Sequence, residues 1–162
     1  MERLFTALRT AVYATAFIWF WGWLAFMARD WGRDRWQAAI PAWALPVGIV
    51  LMVLGGALAL SCIATLAFVG RGTPAPFDPP RQLVPGGPYR FVRNPMYVGA
   101  LIVLVGFGLY ERSVAALIFM LFVALVTHLF VLLVEEPGLE RRFGESYLRY
   151  KASVPRWIPG WR

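Results

Sequence analysis

The chain has 162 residues, 59% of them from the set AVILMFWYC and 15% charged, where soluble domains carry about 25% charged residues. That composition excludes both an ordinary soluble globular domain and a disordered chain. One cysteine, Cys62, and one histidine, His128, exclude an internal disulfide and argue against a cysteine or poly-histidine metal centre.

Residues 11–27 form the first uncharged run, with Arg9 before it and Arg29 after it. Trp19, Trp21 and Trp23 fall near its end, where an aromatic belt belongs. Its length and tryptophan content, with no small-x-small site after it, favour a retained span over a cleaved signal. Residues 42–69 form a second run, with no charge in 28 residues. Pro46 lies in its first turn, where proline costs little, and Gly55-Gly56 permits close helix approach. The third run, residues 95–110, has only 16 residues, about 24 Å of helix against a hydrocarbon core of about 30 Å. It either crosses with little tilt or forms half of a buried hairpin. The polar break Glu111-Arg112-Ser113 precedes a fourth run, residues 114–134, which contains His128.

The net charge is +7, and 15 of the 16 basic residues are arginine. In a soluble protein this would point to nucleic acid. Here twelve of the sixteen fall in the N-terminus, the 70–94 segment and the tail, and four fall in the other connections. The positive-inside rule then places both termini and residues 70–94 in the cytoplasm. Most of the charge is an orientation signal, so no nucleic-acid partner is expected. The expected fold is all-α: a single polytopic domain over 1–162 with four transmembrane helices, the third short. A cytoplasmic segment spans 70–94, and a C-terminal amphipathic lid covers 135–162.

Polar residues concentrate in two places. Residues 70–80 carry four prolines and read as stiff and extended. Pro85-Gly86-Gly87-Pro88-Tyr89-Arg90 reads as a tight turn. Asn94 before Pro95 reads as a helix start, with Asn as the capping residue and Pro in the first helical position. Free amides at such a start attract anions, and Arg90 and Arg93 stand beside it. The second place is Glu135-Glu136-Pro137, read as the end of span four. Two carboxylates there oppose the helix dipole and are costly at a membrane boundary, so they call for a partner: Arg90 or Arg93, a metal, or a cationic ligand group. Beyond Pro137, Leu139, Phe143, Tyr147 and Tyr150 fall on one side of an amphipathic helix. Arg141, Glu145 and Arg149 form i, i+4 pairs of opposite sign on the other. That helix either lies on the membrane surface or closes over a ligand.

Taken together, Gly87-Pro88-Tyr89-Arg90-x-x-Arg93-Asn94-Pro95-Met96-Tyr97-x-Gly99, Glu135-Glu136-x-x-Leu139, Phe143-Gly144-x-x-Tyr147-x-x-Tyr150 and Val154-Pro155-Arg156 resemble the isoprenylcysteine carboxyl methyltransferase superfamily. The phosphatidylethanolamine N-methyltransferases are similar in the Asn-Pro-Met-Tyr and Glu-Glu-Pro segments. The resemblance covers about residues 66–159. It implies an integral membrane methyltransferase that uses S-adenosyl-L-methionine without a Rossmann domain, takes a lipophilic substrate sideways from the lipid bilayer, and covers its cofactor with the C-terminal segment. It also implies cofactor roles for a Gly-x-Gly element, matched by Gly70 and Gly72, and for the pair Glu135 and Glu136. Carboxyl methyltransferases usually show Arg-His-Pro where this chain has Arg93-Asn94-Pro95, whereas its tail matches the carboxyl branch. The acceptor therefore stays open between a carboxylate and a lipid amine.

The residues suit this chemistry. The cofactor carries an ammonium, a carboxylate and a sulfonium. Glu135 or Glu136 can pair with the ammonium. The amides opened by Asn94 and Pro95, with Arg90 or Arg93, can hold the carboxylate. Tyr97, Tyr147 and Tyr150 can pack on the adenine or near the sulfonium, and Tyr89 belongs to the same constellation. Methyl transfer needs positioning and water exclusion more than strong acid–base groups, so scarcity of His and Cys is no objection. His128 reads as a helix–helix contact. A non-catalytic transporter or assembly protein is the alternative, but it would want charged residues lining a path inside the spans. Apart from His128 the spans have none. A membrane reductase is a further option, for which this chain looks short.

Overall fold

The structure is a computed structural model and describes residues 2–33, 40–70 and 81–160. Of the stretch read as extended, residues 70–80, all but Gly70 lie outside the described residues, Gly72 among them. Among the described residues every regular element is helical: α1 (Glu2–Gly32), α2 (Ala44–Phe68), α3 (Pro95–Tyr110), α4 (Val114–Phe130), α5 (Glu136–Phe143) and α6 (Glu145–Ser153). A 3-10 turn at Gly87–Arg90 and a π turn at Val131–Glu135 complete the set. Three stretches are long and apolar enough to cross a membrane: Leu8–Gly32, Ala44–Phe68 and Val114–Phe143.

Glycine sets the closest packing in the bundle. A Cβ placed on Gly55 would lie 2.6 Å from the carbonyl oxygen of Gly99, and one on Gly106 would lie 2.6 Å from that of Gly48. The backbones of α2 and α3 therefore touch antiparallel at these two levels, Gly48 against Gly106 and Gly55 against Gly99, as small residues allow between membrane helices. Gly56, paired with Gly55 in the sequence reading, has nothing within 4 Å of such a Cβ. Gly55→Val should accordingly cost about 1–3 kcal/mol through overpacking, seen as a lower unfolding temperature in detergent. Gly56→Val should leave that temperature unchanged, and equal effects would contradict the packing.

The short α3 reaches from one end of the bundle to the other. Its last turn leads to Glu111, which pairs with Arg29 of α1 at 3.0 Å. Arg112, in the left-handed region with φ 50°, donates from Nε to the carbonyl of Ile40 at 2.6 Å. Ser113 caps α4 by accepting from the Ala116 amide at 3.2 Å. On the same side of the bundle, Phe26 and Phe107 meet edge to face at 4.9 Å. Trp21 meets Phe119 at 6.3 Å, seating α1 on α4.

Three sequence expectations change. First, Glu135-Glu136-Pro137 does not end a helix. The chain passes from α4 through the π turn directly into α5, with Pro137 in α5's first turn. In the π turn the Glu136 amide reaches back five residues to the Val131 carbonyl. The wider register accommodates a proline that lacks the N–H an α-helix would use. The dipole penalty expected for the two carboxylates is therefore absent. Second, the amphipathic helix is broken at Gly144, whose φ of 51° suits glycine. Arg141 and Glu145 thus lie on different helices, and no continuous i, i+4 register joins them. Third, Asn94 sits at the capping position of α3 but its side chain makes no cap bond. It donates instead to the Arg156 carbonyl at 3.3 Å.

Candidate functional site

The ends of α2, α3 and α4 meet α5 and α6 at the bundle end opposite the Arg29–Glu111 pair. They enclose a cavity of about 470 Å³, within the usual range for small-molecule sites. Leu66, Phe130 and Val134 form an apolar wall, and Val134 also faces outward with 53% of its surface exposed. The polar lining includes Tyr89, Arg93, Asn94, Tyr97, Glu135, Glu136, Tyr147 and Tyr150.

The segment Val154–Trp157 follows α6 as a strap and is stitched to this site at four points. The Arg93 amide donates to the Pro155 carbonyl at 2.8 Å, and Asn94 holds the Arg156 carbonyl. The Arg156 guanidinium takes both oxygens of Glu136, at 2.7 and 2.9 Å. The Trp157 indole donates to His128 Nδ1 at 3.0 Å. His128, read from the sequence as a helix–helix contact, thus also anchors the strap. Deeper in, the Tyr150 hydroxyl donates to the Tyr89 carbonyl at 2.7 Å, tying α6 to the 3-10 turn.

The two adjacent glutamates have different surroundings. Glu136 is 3% exposed. Beside Arg156 it meets Arg93 at 3.2 Å and Lys151 at 3.4 Å. Lys151 also pairs with Glu140, which holds α5 to α6 and lifts the Lys151 ammonium above its ordinary range. Glu135 is half-buried, and its recorded partner is the Tyr97 hydroxyl at 2.9 Å. Among the described residues no cation lies within ion-pair distance of it.

Arg93 is unusual among the cations. Its side chain is 8% exposed, and its Nε and Nη1 are buried with no hydrogen-bond acceptor. Buried guanidinium donors are normally satisfied. The Met96 and Tyr97 amides, in the first turn of α3, also have no intrahelical acceptor. The tyrosines act as neutral groups: burial, with Glu136 nearby, pushes Tyr147 up to about 12. Burial raises Tyr89 and Tyr150 as well.

Eight of the twelve residues singled out from the sequence therefore share one cavity. Pro95 is buried and is not among the lining residues. Arg90 is exposed and lies over the Phe91 ring at 4.5 Å. Gly70 is buried outside the lining, with its carbonyl accepting from the Arg81 amide at 2.9 Å. Gly72 is not described. Sequence reasoning missed the Arg156 and Lys151 contacts to Glu136, the Trp157–His128 bond, and Arg141 and Arg142 in the lining. The only prior sign of Arg156 was its place in the Val154-Pro155-Arg156 motif.

The fold and cavity define a class: a small all-helical integral membrane protein with a charged and aromatic chamber at one end of the bundle. The chain belongs to the phospholipid methyltransferase family, whose model matches residues 43–146. Membership implies methyl transfer in the membrane, and hence a methyl donor. An uncharacterised protein of Haemophilus influenzae (strain Rd) is 35% identical over 63 residues, 39% of this chain and 100% of that protein. No solved structure matches the chain.

Proposed function

We propose that the protein transfers a methyl group from S-adenosyl-L-methionine to a lipophilic acceptor, an isoprenylcysteine-like carboxylate or a phospholipid amine. The observation that carries this reading is the pairing of opposite charges in one chamber. Glu135 offers a carboxylate that meets no cation among the described residues, and Arg93 offers two buried donors without acceptors. A ligand with both an ammonium and a carboxylate fits that pairing.

In this scheme Glu135 and Tyr97 bind the ammonium, and Arg93 with the first amides of α3 binds the carboxylate. Glu136 holds the chamber's cations in place. Tyr89, Tyr147 and Tyr150 supply aromatic walls suited to the adenine and to a cationic centre. Bound there, the cofactor supplies a methyl group already activated by its sulfonium. The acceptor's bond to that methyl forms as the S–CH3 bond breaks, leaving the neutral thioether S-adenosylhomocysteine. A carboxylate acceptor releases no proton, and an amine acceptor gives one up to water, so the chain's task is alignment and shielding of the sulfonium. Leu66, Phe130 and Val134 give an acceptor's lipid tail an apolar approach from the bilayer. The cavity end, with both termini, faces the cytoplasm in this scheme, the orientation that the arginine distribution favours.

The test combines binding and transfer. Purified protein should bind S-adenosylmethionine saturably by calorimetry. With methyl-labelled cofactor and host lipid extract it should place label in a lipophilic product. Because the cofactor does not cross membranes, inverted vesicles should methylate from outside and right-side-out vesicles should not. Absence of both binding and labelled product defeats the reading, and the reverse vesicle result defeats the orientation.

A further inference from the structure

The cluster around Glu136 has more positive charge than it neutralises. Arg93, Lys151 and Arg156 surround it, while Glu136 and Glu140 are the carboxylates in contact with them. Three cations against two anions leave one positive charge, and the cation with unused donors is Arg93. Arg93 touches Glu136 through a single nitrogen, at 3.2 Å to Oε1. The bidentate grip that carboxylates prefer with arginine belongs instead to Arg156, at 2.7 and 2.9 Å.

This division of labour has a chemical consequence. Were Glu136 released by Arg156, its nearest buried guanidinium would be Arg93. A fork-to-fork pair there would consume donors that now have no acceptor, on a residue that lines the chamber. The geometry points to Arg156, carried on the C-terminal strap, as the positioning residue of an anion subsite at Arg93: it occupies Glu136 and so leaves Arg93 Nε and Nη1 unpaired, for a ligand carboxylate to take up as the Arg93 side chain turns into the cavity it lines. Lys151 cannot substitute, since it is a point-charge donor 36% exposed and shared with Glu140. The strap's other bonds fix Arg156 in register. The Pro155 carbonyl is held by the Arg93 amide and the Arg156 carbonyl by Asn94. The strap thus acts on the very residue whose donors it protects.

The inference rests on the cofactor reading above, in which Arg93 takes the carboxylate of S-adenosylmethionine. Its test is the affinity of purified protein, by calorimetry, for two ligands: S-adenosylmethionine and its decarboxylated analogue, which keeps the ammonium and sulfonium. The native chain should prefer the carboxylate-bearing ligand. Arg156→Ala should weaken that ligand by about tenfold, the size of one charge-assisted hydrogen bond, and leave the analogue's affinity unchanged. Arg156→Lys, which can hold one oxygen of Glu136, should fall between the two. If the alanine variant does not fold, the selective partial loss in Arg156→Lys decides the matter. A purely structural role predicts equal losses for both ligands, and that result, or no loss at all, overturns the inference while leaving the cofactor reading intact. If the native chain binds both ligands equally, the Arg93 subsite falls. If it binds neither, the function proposal falls and the inference with it.

Discussion

Replacing Glu136 by alanine is expected to cost the folded protein about 3–5 kcal/mol, the range for removing one partner of a buried ion pair, read as a fall in the unfolding midpoint in detergent. The reason is what remains behind. Arg93 and Arg156 would keep their charges, at 8% and 25% side-chain exposure, without the carboxylate that both contact. Lys151, more exposed and still paired with Glu140, adds little because solvent screens it. The loss also detaches the strap from α5, since the guanidinium of Arg156 bonds to Glu136. Glu136→Gln keeps the shape and some hydrogen bonds and should cost less than Glu136→Ala. A loss below about 1 kcal/mol in the alanine variant would mean the cluster is solvated and does not hold the tail.

How far the sequence foretold this arrangement depends on the range of the interaction. α3 is bounded at Pro95 and Tyr110, where the sequence reading put it, because a local signal marks each end: Asn94-Pro95 before it and a polar triplet after it. Glu135-Glu136-Pro137 reads from the sequence as the end of span four, since the uncharged run stops there. A π turn, which has no distinct sequence signature, lets the helix continue. A single glycine is compatible with a helix, so nothing local marks the positive φ that breaks the helix at Gly144. The cavity residues Tyr89, Tyr97, Tyr147 and Tyr150 came from motif spacing. The pairing of Glu136 with Arg156 did not. A charge placed by the positive-inside count carries no information about which carboxylate it will meet across the fold. The same blindness hid the Trp157–His128 bond and left the two glutamates interchangeable, although their surroundings differ sharply.

That difference yields the second large effect. Glu135→Gln is expected to weaken binding of S-adenosylmethionine by about 10- to 100-fold, the equivalent of the roughly 1.5–3 kcal/mol carried by a hydrogen bond to a charged group. The unfolding midpoint should stay close to that of the native chain. Glu135 stands outside the cation cluster, and its recorded partner is the Tyr97 hydroxyl, so a neutral amide of the same shape disturbs no ion pair among the described residues. Tyr97→Phe removes that single hydrogen bond and should weaken the cofactor by no more than about tenfold. The decarboxylated analogue separates the two ends of the chamber. It retains the ammonium, so Glu135→Gln should weaken it as much as the full cofactor, whereas Arg156→Ala should spare it. Calorimetry on the two variants with the two ligands therefore assigns each charge of the ligand to one side of the cavity. Cofactor affinity within twofold of native in Glu135→Gln would remove Glu135 from the site. A loss confined to the carboxylate-bearing ligand would place Glu135 at the wrong end of it.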